Sequence, residues 1–123
     1  MIDAGIYIAI FKLAHAQPIV VGSLRSHHFK RSIYLYVGSA QRGLTQRLER
    51  HARRRKPKHW HIDYLSTKAI FLGAIIFEAP KQMECMIAAM LAKRCAVAVA
   101  DFGSSDCRCG GHLFHLDRID HFH

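Results

Sequence analysis

Two stretches of strict alternation, residues 4–11 and 32–38, constrain this chain more than any other feature. In the first, Ile6, Ile8 and Ile10 fall on one side of an extended strand, with Gly5, Tyr7, Ala9 and Phe11 on the other. In the second, Ile33, Leu35 and Val37 share one side while Tyr34, Tyr36 and Gly38 share the opposite one. Successive side chains of a strand point to opposite faces. Pairing the two segments is therefore expected to bury the aliphatic residues and present the tyrosine hydroxyls together. Residues 17–24, rich in Val and Ile, suit a second, edge strand. Residues 25–30 read as a basic turn or loop, and Ile-rich residues 69–77 as a buried strand.

Helical spacing fills the intervals. Leu44, Leu48 and Ala52 recur every four residues, which predicts a helix over 41–54 that Pro57 prevents from continuing. A short helix is expected over 59–66. After Pro80, a third helix over 82–95 would turn Ile87, Ala88 and Leu91 inward. A glycine- and serine-containing loop at 103–111 precedes a short strand at 112–116, and residues 117–123 read as a frayed tail. The expected fold class is α+β: a small mixed or antiparallel sheet flanked by helices, forming one domain over residues 1–116. With 123 residues the chain has material for one core and not for two.

Charge supplies the first functional argument. Lys and Arg number 18 against 9 Asp and Glu, and the excess is concentrated. Arg42, Arg47, Arg50, Arg53, Arg54, Arg55, Lys56 and Lys58 lie in one segment whose only acid is Glu49. Such a block attracts a polyanion and releases its counterions on contact. The expected partner is a nucleic acid, with Arg42, Arg50, Arg53, Arg54, Lys56 and Lys58 on its backbone and little reading of sequence. The apolar run at 69–77 falls far short of the roughly 20 residues of a membrane-spanning helix. No basic leader follows Met1, so no membrane partner and a cytoplasmic location are expected. Four cysteines in such a chain suggest free thiols or metal ligands rather than disulfides.

Gly5-Ile6-Tyr7, Tyr36-Val37-Gly38, Leu44-Thr45-Gln46-Arg47 and a later helical Glu84 occur in that order. The ordered set resembles the signature of the GIY-YIG nuclease superfamily and covers nearly the whole chain. Val21-Gly22, Tyr36-Val37-Gly38-Ser39-Ala40, Arg50-His51, residues 59–65, Asp106-Cys107-Arg108-Cys109 and His112-Leu113-Phe114 narrow it further. Together they resemble a subgroup that stands alone or is fused to a base-excision DNA glycosylase. That association implies a role near DNA repair and a repair-protein partner. The resemblance implies hydrolysis of phosphodiester bonds in DNA, with one Mg²⁺ or Mn²⁺ on Glu84, Arg47 on the phosphate, and Tyr7 and Tyr36 at the attacking water. His51 would relay a proton or hold a phosphate. Ser39 stands where many members carry lysine, which removes one cation from the site. The competing readings are a non-catalytic nucleic-acid-binding module on the same scaffold and an RNA-processing nuclease.

The residues also argue for themselves. Glu84 precedes Ile87, Ala88 and Leu91 by three, four and seven positions, so it shares their apolar face. A carboxylate there must be paired or bound to a cation. Arg47 and His51 are four apart and share a helix face beside Leu44 and Leu48. A phenol titrates near pH 10, so a tyrosine base needs positive charge close by. His59, His61 and Asp63 surround Trp60: either a second metal or DNA-contacting site, or a helix docked by Trp60 and Tyr64, the favoured reading. Cys107, Cys109 and His112 invite zinc, but the spacing is short and no fourth ligand is evident, so a structural zinc is not expected.

Overall fold

The computed structural model describes residues 3–22, 26–97 and 112–116. The two alternating segments form β1 (Gly5–Leu13) and β4 (Ser32–Ala40), paired antiparallel with Tyr7 opposite Gly38 and Ala9 opposite Tyr36. They are the middle of a five-stranded antiparallel sheet of order β5-β1-β4-β7-β6, where β5 is Ile70–Phe77, β6 Ala96–Val97 and β7 Leu113–Leu116. The helices are α1 (Leu44–Ala52), α2 (His61–Ser66) and α3 (Glu84–Ala92), the last entered through a 3-10 turn at Lys81–Met83. The α+β expectation holds, with every pairing antiparallel.

Both faces of the β1–β4 pair are covered, which the alternation alone did not indicate. Ile6, Ile8, Leu35 and Val37 pack beneath α3 against Ala88, with Ile87 and Leu91 alongside. Tyr7, Ala9, Phe11, Tyr34 and Tyr36 pack beneath α1 and α2 against Leu44, Ile62 and Leu65. The tyrosines are therefore inside the molecule and not displayed on a face: Tyr7 is 2% exposed.

Three other expectations change. Residues 26–29 are not loop; β3 (Ser26–Phe29) pairs with β2 (Gln17–Val20) in a separate two-stranded ribbon that seats Ile19 and Phe29 on the tyrosine-side core. The strand expected over 17–24 accordingly stops at Val20. β5 is a strand as expected but not a buried one, because it is the outermost strand: Leu72, Ile75 and Ile76 are each about half exposed. Finally, α1 is shorter than 41–54 because Gly43 takes a left-handed conformation (φ 67°) that breaks helical geometry before Leu44. Ala52 turns outward, and the inner stripe becomes Leu44, Leu48 and His51. The helix has no acid in its own first turn; Asp3 supplies one, its Oδ1 accepting from the Thr45 N–H at 2.9 Å and hydroxyl at 2.7 Å. Among the described residues, no helix is long and apolar enough to cross a membrane.

Candidate active site

A cleft of about 630 Å³ opens where the start of β1, the end of β4, α1, α2 and the start of α3 meet. Tyr7, Tyr36, Arg47, His51 and Glu84, the five residues expected to carry chemistry, all line it. Gly38, Ser39, Trp60, His59, His61, Lys81 and Cys85 also contribute to its walls.

Gly38 makes the floor possible. A β-carbon there would sit 2.5 Å from the Tyr7 hydroxyl and ring, so the absent side chain is what lets that ring lie across β4. The Tyr7 hydroxyl then reaches His51 Nε2 at 2.7 Å, joining β1 to α1. Burial lifts the Tyr7 hydroxyl well above the usual phenol range, although the Arg47 guanidinium hydrogen-bonds it and pulls the other way. Burial likewise raises Tyr36, helped by the neighbouring Tyr7 and Glu84. Both are neutral phenols at pH 7. His51 moves in the opposite direction, down to about 4, through burial and then the adjacent Lys56 ammonium. It is neutral as well. Its Nδ1 is buried and finds no partner among the described residues, which further disfavours an imidazolium with two N–H groups to satisfy.

Arg47 is fixed from three sides. It donates to the Ser39 carbonyl at 2.6 Å, hydrogen-bonds Tyr7, and lies 4.8 Å from the centre of the Trp60 ring. Glu84 approaches from the other side of the sheet, at the first turn of α3. Its Oε2 is 3.1 Å from His112 Nδ1, which also lies 3.2 Å from the Val37 carbonyl. His112 in turn is set by its own carbonyl, which accepts from the Val37 N–H at 2.9 Å. Burial raises the Glu84 carboxyl, but the His112 and Ser39 hydrogen bonds outweigh it and leave the group below the usual range. The carboxylate is ionised. Ser39, in the position noted for its missing charge, thus contributes a bond to Glu84.

The His59, His61 and Asp63 cluster separates. Asp63 is fully buried, and its Oδ2 accepts from the His59 and Trp60 N–H groups at 2.7 and 2.9 Å and from Arg50 at 2.7 Å. This holds the entry to α2. Burial pushes Asp63 up, but the Trp60 and His59 backbone bonds and Arg50 hold it low. His59 and His61 stay on the cleft wall. Arg50 and Lys56 were expected on a nucleic-acid backbone and are instead turned inward. Arg50 is bound to Asp63 and the Pro57 carbonyl, and the Lys56 side chain, 1% exposed, caps the end of α1 through its Nζ on the Arg50 carbonyl at 2.7 Å. Burial lowers the Lys56 ammonium to about 8. Arg42, Arg53, Arg54, Arg55 and Lys58 remain exposed.

Cys85 is disulfide-bonded, contrary to the free-thiol expectation, and Cys107 and Cys109 lie outside the described residues. Cys95 is a buried free thiol. Among the described residues no group of three or more His, Cys, Asp and Glu could hold a metal unaided. The donor set at Glu84, one ionised hard-oxygen ligand beside an open cleft, fits an ion such as Mg²⁺ that keeps waters and shares substrate oxygens.

Fold and site together define an α+β protein whose basic cleft joins two phenols, a guanidinium, an imidazole and a carboxylate. The chain belongs to the family described as Domain of unknown function DUF123, whose model matches residues 6–123. No curated protein and no solved structure matches it.

Proposed function

We propose that this protein is a divalent-metal-dependent nuclease that hydrolyses phosphodiester bonds in DNA, as its resemblance to the GIY-YIG superfamily implies. One observation carries the reading: Tyr7, Tyr36, Arg47, His51 and Glu84, remote in sequence and drawn from four elements, line a single cleft. The phosphate sits against Arg47, whose guanidinium is held by Ser39 and Trp60 and counters charge developing on the phosphoryl oxygens. Glu84 is the metal ligand, oriented by His112. Mg²⁺ or Mn²⁺ bound there would supply Lewis-acid polarisation of the phosphate.

Tyr7 is a neutral phenol, so it accepts the water proton only by passing its own to His51 Nε2, 2.7 Å away. Its hydroxyl oxygen accepts from Arg47, which frees the hydroxyl proton to point at that nitrogen. The bound phosphodiester raises the basicity of His51 during the reaction, because a neighbouring anion favours the imidazolium. Arg42, Arg53, Arg54 and Lys58 hold the backbone outside the cleft.

Purified protein incubated with supercoiled, nicked, branched and flap DNA, and with structured RNA, tests the proposal with and without Mg²⁺ or Mn²⁺. Metal-dependent DNA cleavage that vanishes in Glu84→Gln while binding persists supports it. Binding without cleavage on every substrate replaces it with the non-catalytic module, and cleavage confined to RNA replaces DNA as the substrate.

A further inference from the structure

The cleft is larger than a phosphate and its metal require, and one of its walls is aromatic. Trp60, the chain's only tryptophan, lines it beside Arg47, with His59 edge-on at 5.0 Å between ring centres. Arg47 and Arg50 lie over this ring, 4.8 and 5.0 Å from its centre, with Arg50 held there by Asp63 and the Pro57 carbonyl, and His61 lines the same wall. The ring is not simply core: it packs against the tyrosine-side cluster and remains partly exposed. The main chain that carries it is anchored by the Asp63 carboxylate, which accepts from the Trp60 backbone N–H and from Arg50.

From this we infer that Trp60 is a stacking plate for an unpaired nucleobase, and that the cleft takes nucleic acid whose bases are unstacked: a single strand, a flap or an extruded nucleotide. The inference rests on the nuclease reading and names its substrate class. Arg47 touches both the expected phosphate seat and the indole, so a nucleotide held there by its phosphate brings its own base within reach of the ring. In a duplex the base faces are hidden in the stack and only their edges are open. An indole face can therefore be used only by a base that has left the stack. A cation for the backbone, here Arg47, together with an aromatic plate is the usual equipment for gripping single strands without reading sequence.

Because the chain has one tryptophan, its fluorescence reports on this wall alone. The Glu84→Gln protein in EDTA, which prevents cleavage, is titrated with a short single-stranded oligonucleotide and with its duplex; anisotropy of labelled DNA is followed in parallel. The single strand should quench the tryptophan and bind at least about fivefold more tightly than the duplex. Trp60→Leu should weaken single-strand binding at least about fivefold more than duplex binding and so erase that preference, and Trp60→Phe should keep most of it. Equal quenching by duplex, or a Trp60→Leu loss that is the same for both forms, would show that the indole only spaces the two guanidinium groups. That result overturns the inference and leaves the nuclease reading standing if metal-dependent duplex cleavage persists. Absence of binding to either form, with no cleavage, sinks both.

Discussion

Tyr7 and Tyr34 lie on the same face of the same strand pair, both almost wholly buried, yet the two ends of that ribbon are built differently. At the Tyr34 end the hydroxyl donates to the Lys30 carbonyl at 2.6 Å, and Phe29 packs against the ring. A backbone carbonyl neither titrates nor exchanges partners, so that end is finished. Burial pushes its hydroxyl up to about 12. At the Tyr7 end the hydroxyl meets His51 and Arg47, two side chains whose protonation or contacts can change, beside an open cleft. The same residue type is structural where main chain closes it off and chemical where side chains do.

Predictions follow from that contrast. Tyr7→Phe keeps the ring and loses the proton path, and should lower the cleavage rate by about 10²–10⁴-fold in single-turnover assays. Tyr34→Phe should leave that rate unchanged; an equal loss in both variants would erase the distinction between the ends. Acid stability separates them next. The unfolded imidazole of His51 titrates near 6.5 and the folded one near 4, so the unfolded state binds the extra proton in that window. Stability is full above about pH 6.5 and falls as the pH drops towards 4, by about 3 kcal/mol from this group. Denaturant melts at pH 7 and pH 4.5 should show that slope in the wild type and a flatter one in His51→Phe.

Smaller effects refine the contrast. His112→Ala frees the Glu84 carboxylate from its clamp and should weaken Mg²⁺ or Mn²⁺ dependence by roughly 10–100-fold, read as the metal concentration giving half-maximal cleavage. Tyr34→Phe should cost only about 1 kcal/mol in urea unfolding, the net worth of one hydrogen bond. A cost several times larger would mean that the closed end carries more of the fold than its single bond indicates.

Much of the fold was legible. Period-two alternation fixed β1 and β4, and Ile87, Ala88 and Leu91 do face the core from α3. Alternation reveals two faces but not what covers them, so the burial of the tyrosines was missed. The same blindness made β5 look internal: eight apolar residues read alike in the middle of a sheet and at its edge, and only strand order places them outside. The Arg42-to-Lys58 charge block read as one surface, whereas Asp63, only five residues past Lys58, draws Arg50 and Lys56 inward. Pairing of that kind depends on how α2 turns back on α1, which local spacing does not report. Asp3 capping α1 from far upstream was equally invisible. Trp60 was noticed as a docking residue, and its place on the cleft wall emerged only with Arg47 beside it.

The amino-acid order alone determined the central strands, the three helices to within a few residues and the cast of reactive groups, because propensity, alternation and charge are local properties; β3 and β6 escaped it. Whether those groups meet was decided only by the tertiary structure. Glu84 and Arg47 belong to helices on opposite faces of the sheet and come together only around its end, where Gly38 leaves room for the Tyr7 ring. Convergence of that kind depends on which face each crossover covers, and on the space left by an absent side chain.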